Sequence, residues 1–403
     1  MSDDYRSGPV SVYLHFPFCI RKCRYCDFLS GPAGEEEREE YISLLCREIK
    51  LRAGELLSPA GTALPVDTIF VGGGTPSLMT PAQAFRVMDA VRGSYSVCDD
   101  AEISMEVNPG TADAEKLSEF KEAGFNRLSI GVQSFDDAEL RLLGRIHTAA
   151  QARKVFEAAR SAGFENINLD LMSGLPGQNM EAWSRTLKET VSLQPEHLSA
   201  YSLIIEEGTP FSSMLDAGKL PDLPSEEEDR RIYHFTKQFL AENGYLRYEI
   251  SNYAREGYEC RHNCGYWTGH AYLGMGLGSS SYLGEERFRN PNKMDVYLNA
   301  INAGNLPALR CERQILTADD KMEEFMFLGL RMAEGISERE FERRFGVRLE
   351  DKFGDVLRRH LAQKVIRRIS STGDSTDGRN DIRIALTEYG MDVANYVMAD
   401  YML

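Results

Sequence analysis

No stretch of the 403-residue chain approaches the roughly 18 consecutive apolar residues that cross a bilayer, so no integral membrane segment is expected. Positive charge is also in short supply. Against 62 Asp and Glu there are 46 Lys and Arg, a formal net charge of -16. A general binder of nucleic acid or of an anionic membrane needs a cationic surface that displaces counterions. No nucleic-acid partner is therefore expected, although a local basic pocket stays open. Met1 to Pro9 is polar, with neither an apolar h-region nor an Arg-rich amphipathic stretch; a soluble, cytoplasmic protein is the expectation. Solenoid repeats and long low-complexity tracts are missing too.

What is present is alternation. The length suggests a large barrel or layered unit with a smaller one appended, and 42% hydrophobic with 27% charged residues is ordinary for a globular chain. Candidate strands are Val10 to His15, Thr68 to Val71, Glu102 to Val107, Arg127 to Val132, Asn166 to Leu171 and His197 to Leu203. Between them lie amphipathic helical patterns at Glu36 to Leu57, Ala82 to Arg92, Ala112 to Ala123, Ala149 to Ala162 and Met180 to Ser192. Six such units predict an α/β fold with a parallel sheet curled into a partial, TIM-like barrel. An open doubly wound sheet would show the same pattern. In either, polar residues at the carboxyl ends of strands are where chemistry belongs.

A helix from Ser225 to Asn243 and a strand-like Tyr245 to Ile250 lead into a Gly- and aromatic-rich segment, Tyr253 to Gly284, that reads as a binding loop. After Pro307 the chain turns to charged helices at Thr317 to Met332, Glu338 to Phe345 and Glu350 to Gln363. A polar loop, Ser370 to Asn380, and a final helix close it. The expected division is 1–305 and 306–403. A helix-turn-helix role for the second part is disfavoured because it has no basic stripe.

Eight cysteines in a chain without a secretion signal suggest metal ligands and free thiols before disulfides. Three of them, Cys19, Cys23 and Cys26, form C-x3-C-x2-C directly after a strand, so one loop can turn three thiolates toward one centre. A structural zinc wants a fourth ligand, usually from paired knuckles. None follows at that spacing, and His15, the nearest candidate, reads as a strand residue. Soft thiolates with an open position suit an iron–sulfur cluster.

This triplet, followed by an aromatic, resembles the radical S-adenosylmethionine superfamily. The resemblance implies a 4Fe-4S cluster whose fourth iron binds the amino and carboxyl groups of S-adenosylmethionine, and whose one-electron reduction can cleave the cofactor to a 5'-deoxyadenosyl radical. Val71-Gly72-Gly73-Gly74-Thr75-Pro76 follows a strand and lacks the Lys-Ser/Thr of a phosphate loop. With Glu106, Gln133, Arg145 and Asp170 near other strand ends, it extends the likeness, across nearly the whole chain, to the oxygen-independent coproporphyrinogen oxidase family and its relatives. Taken one by one, these residues read equally as capped turns. The family pattern implies that Tyr13, Gly73, Gly74, Thr75, Glu106, Gln133, Arg145 and Asp170 hold S-adenosylmethionine. It also implies a small, mostly helical, winged-helix-like C-terminal domain.

Two departures point from oxidase to relative. The oxidases carry a further cysteine where this chain has Phe28, and a longer arm before the cluster loop, where 18 residues precede Cys19 here. Both resemble the HemW heme chaperones. So does H-N-x-x-Y-W within Cys260-Arg261-His262-Asn263-Cys264-Gly265-Tyr266-Trp267, in a heme-binding-like loop near 255–284. The resemblance makes His262 a heme-binding residue, with Arg255 and Arg261 available for propionates. Cys260 and Cys264 read as ordinary thiols. The expected partners are heme, an acceptor protein and an electron donor, in a monomer or homodimer without ordinary enzymatic turnover. Radical decarboxylation of coproporphyrinogen III, or another radical porphyrin-processing reaction such as methylation, stays open.

Overall fold

The structure, a computed structural model, describes residues 8–58, 60–371 and 381–402. Its first half alternates strand and helix: β1 (Val10–Phe16), α1 (Glu35–Leu51), β2 (Pro65–Gly73), α2 (Pro81–Ser94), β3 (Ser96–Val107), α3 (Ala114–Glu122), β4 (Arg127–Gln133), α4 (Asp137–Leu143), α5 (Ala149–Ser161), β5 (Ile167–Ser173), α6 (Met180–Leu193) and β6 (His197–Ser202). Caps place the helix starts. Thr80 and Thr148 each accept a bond from the backbone N–H three residues on, and Gln83 and Gln151 return it. The short α4 escaped the sequence reading.

β1 through β6 pair in parallel and in chain order. That order excludes the doubly wound alternative, which needs a reversal of strand order. Right-handed crossovers between successive neighbours all fall on one face of the sheet. The other face receives no helix from these units.

The strand sequences match that asymmetry. On β4, Arg127, Ser129, Gly131 and Gln133 line an internal cavity, while Leu128, Ile130 and Val132 belong to the apolar core. The same split separates Asn168 and Asp170 from Leu169 and Leu171 on β5, and Ser199 and Tyr201 from Leu198 and Ala200 on β6. A period of two puts successive side chains on opposite faces. The apolar set packs outward on Val87 and Val91 of α2, Leu117 and Phe120 of α3, Val155 and Phe156 of α5, and Trp183 and Leu187 of α6.

α7 (Pro210–Asp216) and α8 (Glu226–Glu242) follow, then β7 (Leu246–Arg247) and β8 (Asn252–Ala254), which extend the sheet beyond β6 in antiparallel fashion. The strand expected over Tyr245 to Ile250 shrinks to two residues. The aromatic segment holds α9 (Arg261–Trp267), β9 (Tyr272–Met275) and β10 (Ser280–Leu283). β9 pairs in parallel with β1, and β10, β11 (Glu286–Arg289) and β12 (Cys311–Ile315) continue outward from it. The result is one twelve-stranded sheet that does not close. α10 (Met294–Asn302) packs on α1, where Tyr297 Oη donates to Glu48 at 2.7 Å. Cys311–Ile315 pairs in this sheet, beyond the 305/306 division expected from composition.

A second apolar core runs from Met322 to Tyr401. It is built by α11 (Ala318–Gly329), α12 (Glu338–Phe345), α13 (Leu349–Ala362), α14 (Glu388–Asp392) and α15 (Ala394–Ala399) around a three-stranded sheet of β13 (Ile336–Ser337), β14 (Ile366–Ser371) and β15 (Asp381–Leu386). The final helix is thus two short ones, and most of the predicted polar loop at 370–380 lies outside the described residues. Among the described residues no helix is long and apolar enough to cross a membrane.

If the outward face of β4 carries the stability, Ile130→Ala, which removes a fully buried side chain, should cost about 2–5 kcal/mol. A denaturant midpoint unchanged from wild type would contradict that division of faces.

Candidate functional site

Twelve of the residues singled out from the sequence line one cavity of about 420 Å³: Tyr13, Cys19, Cys23, Cys26, Gly73, Gly74, Thr75, Glu106, Gln133, Arg145, Asp170 and His262. The cysteines occupy the loop leaving β1. Cys19 N–H donates to Gly31 O at 2.9 Å and Gly31 N–H to Pro17 O at 2.9 Å, which ties off the loop's base. Its far side is held to the end of α4, where Arg24 N–H donates to Leu143 O at 3.0 Å and the Arg21 guanidinium to Gly144 O at 2.8 Å.

The turn after β2 is strapped to the same loop. Gly74 N–H donates to Phe16 O (2.8 Å) and Thr75 N–H to Phe18 O (2.7 Å). A β-carbon on Gly74 would lie 2.6 Å from Phe18 O, and one on Gly73, whose φ is +110°, would lie 2.3 Å from the His15 ring. Both positions therefore require glycine. Thr75 Oγ1 donates to Cys19 Sγ at 3.4 Å and accepts from Asn108 Nδ2 at 2.7 Å. Arg145 spans Asn108 Oδ1, Gly131 O and, at 3.6 Å, Cys23 Sγ.

Both ring nitrogens of His15 are engaged within the protein. Its Nε2 reaches Leu29 O at 2.9 Å and its Nδ1 the Tyr13 hydroxyl at 3.0 Å. All eight cysteines are free thiols, and among the described residues no three His, Cys, Asp or Glu side chains gather around a single-ion position. Three soft thiols without a fourth protein donor do fit a multi-iron cluster, whose ligands sit on separate irons and leave one corner open.

Deeper in, Gln133 ends β4 in the left-handed region (φ 67°), next to a break in the β4–β5 register. This bulge turns its amide inward, where Tyr201 Oη donates to Oε1 at 2.8 Å. Glu106 accepts from Gly73 N–H at 3.0 Å. Burial, then the charge of Asp170, pushes its carboxyl up to about 8, with the Gly73 bond opposing. Asp170 accepts from Ser129 (3.0 Å) and Asn168 (2.7 Å), and burial raises it too. The Asn168 amide oxygen can only accept, so His197 Nδ1, at 2.6 Å, carries the proton, and Nε2 accepts from Tyr248 Oη at 2.8 Å.

His262 lies in this inner region, 1% exposed. Thr68 donates to Ser11, so it accepts from His262 Nδ1 at 2.8 Å; Nε2 then accepts from Tyr266 Oη at 2.9 Å. Burial lowers its pKa to about 3, and the neutral ring has one lone pair, at Nε2, facing Tyr266. The two arginines proposed for propionates point elsewhere. Arg255 lies over the Tyr245 ring at 5.2 Å, and Arg261 donates to Asp100 O at 2.7 Å. Neither lines the cavity. Arg127, Ser129, Asn168, Ser199 and Tyr201 do line it and were missed, although the polar–apolar alternation of β4 to β6 was their signal.

A family model described as the radical SAM superfamily matches residues 13–190, and one described as the HemN C-terminal domain matches residues 316–371. The heme chaperone HemW of Bacillus subtilis is 38% identical over 88% of this chain and 91% of its own length. The chain belongs to the HemW family. The heme chaperone HemW of Lactococcus lactis is 34% identical over 98% of both chains. Among solved structures, the radical SAM enzyme coproporphyrinogen III oxidase (HemN) from Escherichia coli superposes with a TM-score of 0.81 at 26% identity, over 98% of this chain and 91% of that one. The HemW assignment agrees with Phe28, an exposed ring at the cavity wall.

Glu106 also yields a pH signature. Its folded pKa lies above the ordinary 4.5, so the native state holds the proton more tightly and stability falls as pH rises through this window. His262 is depressed from 6.5 and acts oppositely, but only below pH 6.5. Between pH 6.5 and 8 the ligand-free protein should lose stability with rising pH, and Glu106→Gln should flatten that slope; thermal midpoints measured across the window check it.

Proposed function

We propose that this HemW-family chain is a heme chaperone: it binds heme, passes it to an acceptor protein, and carries a 4Fe-4S cluster with S-adenosylmethionine. The observation that supports this most directly is the shared cavity. Cysteine loop, glycine turn and the H-N-x-x-Y-W helix all contribute to one wall system, so cofactor and cargo chemistry are within reach of each other.

In this reading Cys19, Cys23 and Cys26 hold the cluster, and Thr75 and Arg145, already bonded to two of these sulfurs, steady the thiolates. Gly73 and Gly74, packed against His15 and Phe18, fix the turn whose backbone would meet the amino acid portion of S-adenosylmethionine beside the open corner. Tyr13, Glu106, Gln133 and Asp170 supply hydroxyl, carboxyl and amide groups to the rest of that molecule. When bound, the cluster would supply one-electron chemistry from an external donor. His262 offers Nε2 to heme iron by exchanging the Tyr266 hydroxyl for the metal. Because burial holds the ring neutral, no proton has to leave before ligation. The domain division belongs to the same proposal, with the second core, from Met322 onward, forming the C-terminal unit.

Two experiments test these assignments. After anaerobic reconstitution, Cys19→Ser, Cys23→Ser and Cys26→Ser should each lose most of the iron and sulfide bound per wild-type chain; full retention in all three would remove the loop as the cluster site. In a heme titration followed at the Soret band, wild type should bind stoichiometrically and His262→Ala should not. A reconstituted, cluster-intact sample that binds no heme but converts coproporphyrinogen III to protoporphyrinogen would make the chain an oxidase instead.

A further inference from the structure

Arg127 opens β4, is 2% exposed and lines the cavity beside Ser129, Asn168 and His262. A guanidinium stays charged and carries five N–H donors. Yet among the described residues this one makes no side-chain hydrogen bond and no ion pair, and its Nε is buried without a partner. Isolated buried charge is strongly unfavourable, so the neighbours matter.

The nearby acids are already committed. Glu102 accepts from the backbone N–H groups of Arg261 (3.0 Å) and His262 (3.1 Å) and from the Cys260 thiol (3.5 Å). Asp170 takes its bonds from Ser129 and Asn168. Their field favours the cation without using its donors, and His197 and His262, the ionisable rings on this side, are neutral by burial. A preorganised fork is left facing the cavity, suited to a planar anion such as a carboxylate.

We propose that Arg127 binds a carboxylate of the ligand at the inner end of the cavity, and that this carboxylate is a propionate of the porphyrin cargo. The assignment rests on the heme reading above. S-Adenosylmethionine is the other source of a carboxylate, and position separates the two. Arg127 is the first residue of β4, whereas the cysteines follow the last residue of β1, a parallel strand of the same sheet. Cofactor amino and carboxyl groups belong at the cluster end. His262, bonded to Thr68 near the start of β2, shares the Arg127 end. Iron ligand and carboxylate fork thus come together.

The test titrates the full chain with hemin and with hemin dimethyl ester, which lacks the charged propionates, and measures S-adenosylmethionine affinity in parallel. Wild type should bind hemin roughly tenfold or more tightly than the diester. Arg127→Met should abolish that preference by weakening hemin alone, with S-adenosylmethionine affinity retained. Arg127→Lys keeps the charge without the fork and should retain part of the preference; it decides the matter if the Met variant fails to fold. An unchanged preference in the folded variants, or equal weakening of hemin and diester, overturns the proposal. Loss of S-adenosylmethionine binding with hemin unaffected assigns the carboxylate to the cofactor and overturns the cargo assignment. Wild-type protein that binds neither porphyrin removes the heme reading itself.

Discussion

The structure depends on a sheet that is apolar on one face and polar on the other, bent so that the polar face is inside. In ordinary parallel barrels the interior is filled by branched apolar side chains, and strands covered on both faces read as continuous hydrophobic runs. Here residues 127–133 of β4, 167–171 of β5 and 198–201 of β6 alternate between the cavity and the apolar core. The outward residues pack on helices and supply the apolar burial that stabilises the fold. The inward ones leave a hollow lined with Ser, Asn, Asp, Arg and Tyr. A sheet that stays open, with twelve strands and no closure, can accommodate such a hollow without collapsing onto it.

A polar interior is costly unless its groups are paired. Much of this one is. Ser129, Asn168, Asp170, His197 and Tyr248 form a continuous chain of hydrogen bonds, and Tyr248 in turn accepts from the Cys260 N–H at 3.3 Å. Two groups on the wall differ: the Glu106 carboxyl, raised by burial and bonded to the Gly73 N–H, and Arg127, whose side chain has no partner among the described residues. Perturbed and unsatisfied buried groups concentrate where binding supplies what the protein does not.

α9 connects this interior to the second core. His262 and Tyr266, one turn apart, meet at 2.9 Å on the cavity side. Trp267, the next residue, lies under the Arg331 guanidinium at 4.2 Å, just beyond α11. Arg344 of α12 donates to Thr268 O at 3.0 Å. One seven-residue helix therefore touches the cavity with one face and the C-terminal unit with the other. That placement explains why the signature carries both ring types: the histidine and tyrosine serve the interior, the tryptophan the seam.

The sequence by itself determined the α/β alternation, the cysteine loop with its missing fourth ligand, and the glycine turn. These are local, written in spacing and in the steric limits of short segments. It also carried the strand-end residues, and the cavity collects every one. Tertiary structure decided what depends on distant segments meeting. Strand order, set by which neighbours pair, selected the curled sheet over the doubly wound one. Short antiparallel additions such as β7 and β10 to β12 have too little periodicity to be read alone. Arg255 and Arg261, beside the signature in sequence, turn outward, while Arg127, more than a hundred residues away, turns in. A side chain's charge is a property of the sequence; whether it is left without a partner is a property of the fold.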